Sequence, residues 1–273
     1  MILLLPILTL AAVADAQTPP VEEIMRKVAE NQARAKSARN NYVYDMNVFV
    51  RLKRANGKVA REESRDYTVA PTEKGAARKL QKVEGKVVDG KKETTYDEAG
   101  YRTKDADIDG AITDSFAREV MWRKGEFGPM VEWFPLTDAK ARYTFHLDGE
   151  ETYHDYRVYK ISYAEREDDG EKCWRGEALI EKEEFQPVLI TGSWDCKVPA
   201  AVRTLLGTNV QHVGAKISYE RLEKYVWFPV NCGGEMKLRV LFLYARTIAF
   251  TAKNSGFKKT DVQSSVEFED PVQ

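Results

Sequence analysis

A run of apolar side chains at every second position constrains this chain more than any other feature. The run extends from Tyr42 to Leu52, and mostly polar residues occupy the positions between its members. Successive side chains of a β-strand point to opposite faces of a sheet, so this alternation predicts a strand with one buried face. Similar segments follow along the chain, separated by glycine and by Asn-Gly and Asp-Gly pairs. Together they predict a large antiparallel sheet.

The segment from Trp174 to Trp194 predicts a hairpin at the centre of that sheet. Its two arms, 178–180 and 188–190, consist of β-forming residues and enclose an acidic turn. Pro187 stands where the second arm begins, so its missing N–H need not interrupt a ladder of hydrogen bonds. Strand-like segments lie on both sides of the hairpin, and we therefore expect it to be central.

Two further turns are expected from their residue types. Asn56-Gly57 favours a tight hairpin turn in which both residues take a positive φ. The return strand after it carries charged side chains at alternate positions, among them Arg61, Glu63 and Arg65. We expect this polar alternation to leave one side of the sheet in water.

Later in the chain, Asp148-Gly149 predicts another turn between strands. Strands are also expected at 215–222, 225–230 and 235–251, and a final one around 260–268. The residues 240–244 are apolar on both faces, which predicts a fully covered strand.

An amphipathic helix is predicted before the first strand. Its apolar face is formed by residues at helical spacing, namely Val21, Ile24, Met25, Val28 and Gln32. Thr18 is expected to cap the helix with its side chain. The two prolines that follow it are compatible with a helix start, because proline is tolerated in a first turn. Helix propensity falls at Asn40-Asn41, and we expect the apolar face to pack on the sheet.

Residues 105–138 interrupt the strand pattern. Ile108, Ile112 and Phe116 are spaced for a short helix, and an aromatic-rich stretch from Trp122 to Leu136 follows. Two interpretations stay open: a loop that fills the core of the sheet, or a lid over an apolar ligand cavity. In the second, the ligand-contacting residues would be Trp122, Phe127, Met130, Trp133 and Phe134.

Residues 1–16 form a short apolar run that ends in Ala14-Asp15-Ala16, which predicts a cleaved secretory signal peptide. We therefore expect a periplasmic or secreted protein. The run is shorter than the ~20 apolar residues of a membrane span, and we expect no transmembrane segment in the mature chain. Residues 17–273 contain no linker-like composition and are expected to form a single domain. The formal net charge of -1 argues against a nucleic-acid partner.

Three cysteines, Cys173, Cys196 and Cys232, occur in this chain. Cys173 and Cys196 flank the Trp174–Trp194 hairpin, so a disulfide between them is one open interpretation. The other is that all three cysteines are small core residues. The sequence contains no nucleophile elbow, phosphate-binding loop, dinucleotide fingerprint or zinc-protease motif. We therefore expect neither an enzyme, nor a cofactor, nor a bound metal.

Several short segments carry a resemblance to a known superfamily. They are Tyr143-Thr144-Phe145 with Gly149-Glu150-Glu151, Trp174 to Val188, Val202 to Thr208, and Val226-Trp227-Phe228-Pro229-Val230. In this order, after an export signal and one helix, the chain resembles the LolA/LolB-like periplasmic lipoprotein carriers, and within them a group of bacterial exported proteins. The resemblance implies a mainly β (α+β) fold, a curved and incompletely closed antiparallel barrel with helices across its open side.

In that superfamily the concave face of the sheet holds acyl chains, so the resemblance implies a carrier for a lipid or an acylated partner. A non-enzymatic envelope interaction or sensor module with a filled core is the alternative. A hydrolase built on the same scaffold is the third hypothesis, without a motif in its favour.

Overall fold

The computed structural model describes residues 18–72, 75–120, 122–123, 126–127, 143–166, 174–194, 209–240 and 244–260. The helices in these residues are α1 Val21–Arg39 and α2 Ile108–Ser115, and a π-helical turn, Phe116–Val120, follows α2. The first strands are β1 Tyr42–Arg54, β2 Val59–Thr72, β3 Gly75–Asp89, β4 Lys92–Tyr96, β5 Trp122–Arg123 and β6 Glu126–Phe127. The others are β7 Tyr143–Tyr153, β8 Tyr156–Glu165, β9 Trp174–Glu181, β10 Pro187–Trp194, β11 Asn209–Glu223, β12 Val226–Val240 and β13 Tyr244–Lys259.

Eleven of the strands form one antiparallel sheet in the order β4-β3-β2-β1-β13-β12-β11-β10-β9-β8-β7. The sheet does not close, since β4 and β7 are its two edges, and β5 and β6 form a separate two-stranded ribbon. The predicted fold class, a mainly β protein with an unclosed antiparallel sheet, is confirmed. The division into a signal peptide and a single domain stays a prediction, because residues 1–17 lie outside the described part.

The core lies on one side of the sheet, which we call the inner face. All six apolar residues of the alternating run in β1 are buried, as the sequence predicts. Their cross-strand neighbours are buried as well: Val48 lies opposite Ala252, and Val50 opposite Phe250. Burial of each such side chain contributes roughly 2 kcal/mol before conformational entropy is counted. The inner face therefore accounts for most of the apolar packing.

The hairpin from Trp174 to Trp194 forms with the expected pairing, and the two tryptophans lie opposite each other. Its central position is wrong, however. β10 and β9 lie near the β7 edge, and β12 occupies the middle of the sheet. The flanking strands extend the sheet mainly on one side, because β1 joins β13 and brings the first four strands next to the last one.

Two predicted turns differ from the observed ones. At Asn56-Gly57 only Gly57 has a positive φ, of 80°, and its N–H donates to the carbonyl of Arg54 at 2.9 Å. The loop is thus a β-turn closed by one left-handed glycine. Gly149 is a bulge inside β7, where the register shifts, and the chain turns at His154-Asp155 instead.

The strand predicted at 225–230 and the first part of the one predicted at 235–251 form one continuous strand, β12. The prediction of a single strand from 235 to 251 is wrong, because β12 ends at Val240 and β13 begins at Tyr244, directly opposite it. Residues 241–243, and nearly all of the predicted strand around 260–268, lie outside the described residues.

α1 packs on the inner face at one end of the sheet, which we call the α1 end. Its buried residues include four of the predicted face, Ile24, Met25, Val28 and Gln32. The Gln32 amide donates to the side chain of Gln186 at 2.7 Å, in the β9–β10 turn. The expected cap is wrong: Pro20 precedes the helix without a side-chain cap, and the Thr18 hydroxyl donates to Glu150.

α2 packs on the inner face at the opposite end, the α2 end, against β1 and β2. The predicted helix is confirmed, and its first turn is capped by the Asp107 carboxylate, which accepts from the Gly110 N–H at 2.8 Å. After α2, the Phe116 ring packs on Phe250, with ring centroids 4.9 Å apart. Among the described residues, no helix is long and apolar enough to cross a membrane.

Candidate functional site

Three arginines lie on the inner face at the α2 end. Arg61 and Arg65 extend from β2 and Arg246 from β13, and their side chains are 1%, 4% and 13% exposed. Isolated charges are rarely buried, because removing them from water is unfavourable unless anions compensate them. We call these three residues the arginine cradle, and its partners come largely from α2.

Arg61 is the most buried member of the cradle. Its guanidinium donates to the Tyr96 hydroxyl at 2.8 Å, to the Tyr101 carbonyl at 2.7 Å and to the Asp107 carboxylate at 3.2 Å. It also lies over the Tyr96 ring, 4.6 Å from the centroid. A charged group with this many partners is held in one orientation.

Arg65 shares a buried carboxylate with the Tyr96 hydroxyl. The Glu63 oxygens accept from Arg65 at 2.6 Å and from Tyr96 at 2.6 Å. Tyr96 reaches this position because Gly85 lies opposite it in β3. A Cβ on Gly85 would lie only 2.0 Å from the Tyr96 ring, so the glycine permits the close approach of strand and ring.

Two aspartates of α2 complete the ion pairs. Asp109 accepts two hydrogen bonds from the Arg246 guanidinium, at 2.7 and 3.0 Å. Asp114 accepts from Arg65 at 2.8 Å. A paired arrangement of this kind matches the planar fork of a guanidinium and is among the stronger hydrogen bonds in proteins.

These contacts shift the pKa values of the groups involved. Burial alone would raise the pKa of Asp107, but hydrogen bonds from Thr103 and Gly110 and the charge of Arg61 bring it below its usual value. Burial would likewise lower the pKa of Arg65, but Glu63 and Asp114 raise it instead. Both groups therefore stay charged at neutral pH.

The expectation of a water-facing side at Arg61, Glu63 and Arg65 is wrong. These residues are buried on the inner face, in register with Leu52, Val50 and Val48 of β1. Their position in the strand indicated burial. They alternate in phase with the apolar residues Tyr67 and Val69 and therefore lie on the same face of the sheet. The charged side chains misled the prediction because charge usually indicates solvent, and their partners in α2 lie more than forty residues away in sequence.

An apolar surface adjoins the cradle on the inner face. Five side chains at or towards the α2 end are only half-buried: Phe145, Leu147, Trp174, Met236 and Leu238. Leu238 lies directly opposite Arg246, and Met236 opposite Ile248. We call these five residues the apolar patch. Side chains of such cross-strand pairs are near neighbours, so Leu238 and Met236 border the cradle, whereas Phe145, Leu147 and Trp174 lie on β7 and β9.

The α1 end of the inner face is covered in large part by α1 and by packed aromatic rings. Phe228 lies there between Tyr42, Tyr44 and Phe257 at centroid distances of 4.6 to 5.7 Å. The Glu184 carboxylate accepts from the indole of Trp227 at 2.7 Å and from the Tyr225 N–H at 2.9 Å. Half-buried apolar side chains also remain at this end, among them Phe185 and Phe257.

The ligand-contacting residues expected from sequence are only partly within the described chain. The backbones of Trp122 and Phe127 pair with each other in the β5–β6 ribbon. The other three, Met130, Trp133 and Phe134, lie outside the described residues, so their role stays a prediction.

Cys173 and Cys196 also lie outside the described residues, so their pairing stays a prediction. Cys232 is a buried thiol, and burial raises its pKa to about 12, which keeps it protonated. His146 contacts the Asp148 carboxylate at 2.8 Å on the surface. Within the described ranges, no group of three or more histidine, cysteine, aspartate or glutamate residues could hold a metal ion.

No protein-family model matches this chain, and no curated protein does. A solved structure of a DUF1329 family protein from Desulfovibrio piger is 12% identical, with a TM-score of 0.37, over 91% of this chain and 96% of that one. A structure of lipovitellin that describes its lipid–protein interactions is 9% identical, with a TM-score of 0.39, over 83% of this chain and 26% of that one.

LprF from Mycobacterium bovis is 9% identical, with a TM-score of 0.24, over 94% of this chain and 100% of that one. At such scores these likenesses carry no argument about function or about site residues. Membership of the LolA/LolB-like superfamily therefore stays a prediction.

Proposed function

We propose that this protein binds a lipid or an acylated, lipid-like ligand against the α2 end of the inner face. The observation that carries the proposal is the apolar patch. Its five side chains belong to the buried face of the sheet and yet keep part of their surface uncovered. Aromatic, Met and Leu side chains suit flexible apolar ligands, because they offer a large and adaptable contact surface.

The packing of α1 supports the same assignment. Ile24, Met25 and Val28 of α1 fill the inner face at the α1 end. An acyl chain would therefore enter from the α2 end and lie along Met236 and Leu238. Binding without catalysis is the role we propose.

Native mass spectrometry of the mature chain, Gln17 to Gln273, tests the proposal after expression with export. We expect a co-purifying apolar molecule that organic extraction releases. An environment-sensitive fatty-acid probe should then bind to the stripped protein. A clean mass, together with a probe that does not bind, would contradict the proposal.

A pair of variants locates the site. Met236→Glu places a charge on the apolar patch and should weaken probe binding about tenfold or more, because a charge is poorly solvated beneath a lipid. Tyr225→Glu is the matched control, since Tyr225 is 56% exposed in the β11–β12 turn at the α1 end. Equal weakening by both variants would argue against the patch.

An envelope interaction or sensor module is the second candidate, and one observation favours it. β7 is an edge strand of 11 residues, and edge strands offer backbone groups that a partner strand can pair with. A pull-down from envelope extracts that yields no partner would count against this candidate. Residence in the periplasm is part of both proposals, and cell fractionation of an exporting host checks it.

A further inference from the structure

We propose that the arginine cradle is a binding site for the anionic headgroup of the ligand, which α2 occupies in this structure with its own carboxylates. The inference rests on the proposed function, because it names the chemical class of the ligand: an amphiphile whose head is a phosphate ester or a carboxylate. Phosphate and carboxylate both match the hydrogen-bonding fork of arginine.

The position of the cradle carries the first step. Arg246 lies directly opposite Leu238 of the apolar patch, and Arg61 lies opposite Leu52 on the same inner face. An acyl chain that lies over Met236 and Leu238 therefore brings its polar end to Arg246. In this arrangement, one ligand contacts the apolar patch and the cradle at once.

The ion pairs of α2 carry the second step. Within α2 only Gly110 and Thr113 are buried, and Ile112 is half-buried against the core. Asp109 and Asp114 add ion pairs to the sheet through Arg246 and Arg65. An incoming anion can replace the two aspartates at these arginines.

Charge compensation explains why an anion, and not a neutral ligand, would take this place. A buried guanidinium that lost its aspartate would be strongly unfavourable. Glu63 stays in the cradle because it belongs to β2, and Asp107 precedes α2, so departure of α2 leaves three arginines against two carboxylates. The remaining positive charge favours an anionic headgroup over a neutral one.

Ligands that differ only in their headgroup test the inference. The dissociation constants of dodecyl phosphate, dodecanoate and dodecanol are measured on the stripped protein by probe displacement, with inorganic phosphate as the arm without a chain. We expect dodecyl phosphate to bind about tenfold tighter than dodecanol, the effect of one or two charge-assisted hydrogen bonds. Hydrogen exchange of residues 108–117 should rise with dodecyl phosphate and not with dodecanol.

Three variants make the test specific. Arg246→Gln should reduce the preference for dodecyl phosphate over dodecanol to near unity. Asp109→Asn removes one α2 contact and should increase that preference, which keeps the test valid if Arg246→Gln folds poorly. Arg51→Gln is the matched control, because Arg51 pairs with Glu62 on the outer face of β1 and β2, and the preference should not change.

Each outcome decides the matter. Equal binding of dodecyl phosphate and dodecanol, with no change in exchange of α2, would overturn the headgroup site and leave the proposed function standing. Failure of all three amphiphiles to bind would overturn both. A rise in exchange with inorganic phosphate alone at the same concentration would assign the cradle to a free anion and overturn the amphiphile.

Discussion

The two helices of this protein pack on the same face of one sheet and are held there by different forces. α1 buries Ile24, Met25 and Val28, and its polar side chains mostly remain at the surface. α2 buries a glycine and a threonine, and it is held by aspartates on the arginine cradle. Apolar burial is non-directional and insensitive to competing ions, whereas ion pairs are directional and can be exchanged. The comparison indicates that the docking of α2 depends more on charge than the docking of α1 does.

The largest effect should follow from removing the carboxylate at the centre of the cradle. Glu63→Ala removes the buried carboxylate that Arg65 and Tyr96 share and leaves Arg61 and Arg65 with one aspartate each, and we expect it to lower the free energy of unfolding by about 3–5 kcal/mol. Glu62→Ala is the matched control, because the neighbouring Glu62 pairs with Arg51 on the outer face and should contribute about 1 kcal/mol or less. Denaturant unfolding checks both, and similar losses would refute the special place of Glu63.

A smaller loss is expected from truncating the apolar contact of α1. Ile24 is fully buried, and Ile24→Ala should destabilise the protein by about 2–4 kcal/mol, because it leaves a cavity. High salt should not change this loss. Glu30→Ala, at an exposed position of α1, should change stability by about 0.5 kcal/mol or less. If the loss of stability caused by Ile24→Ala depended strongly on salt, the distinction between apolar packing of α1 and ion pairing of α2 would be wrong.

The contact between α2 and Arg61 predicts that Gly110→Ala lowers stability, whereas helix propensity alone predicts that it raises stability. Alanine is favoured over glycine inside a helix by about 1 kcal/mol. A Cβ on Gly110, however, would lie 2.8 Å from the Arg61 guanidinium, so Gly110→Ala should destabilise by about 1–3 kcal/mol. Hydrogen exchange should show the loss in α2 and not in α1. Stabilisation by Gly110→Ala would mean that α2 does not pack closely against the Arg61 guanidinium.

The pH dependence of α2 docking should be the smallest effect. Hydrogen bonds and Arg61 lower the pKa of Asp107 in the folded protein, below its value of about 3.9 in an unfolded chain. The stabilisation is therefore present above that value and is lost as the pH falls through the lowered pKa. Thermal unfolding of the protein and of Asp107→Asn, from pH 6 to pH 3, should converge at the acid end. If the difference in thermal stability between the two proteins grew as the pH fell, the predicted direction of the pH dependence would be wrong.

The same contrast explains which parts were predictable from sequence. The face of α1 and the alternation of β1 could be predicted because burial there follows apolar periodicity. The cradle could not, because Arg61, Glu63 and Arg65 have the appearance of a solvated face until Asp107 and Asp114 are known to pair with Arg61 and Arg65.

Turn details were missed for local reasons. The chain turns at Asn56-Gly57 as expected, but only Gly57 takes the left-handed conformation. Gly149, which looked like a turn residue, is a bulge in β7. A single sequence states which residues permit such conformations, and the register of the neighbouring strand decides which of them is used.

The pairing of β1 with β13 has a consequence for how the chain acquires its structure. Tyr42 lies opposite Lys259, so two segments that are synthesised far apart meet near the middle of the sheet. Contacts between residues so distant in sequence form slowly, because a long loop must close first. The β1–β4 meander and the β7–β12 meander can form earlier, and β13 then joins them. Until β13 has been made, both meanders expose an unpaired strand, and this interval is when the chain most needs protection from aggregation.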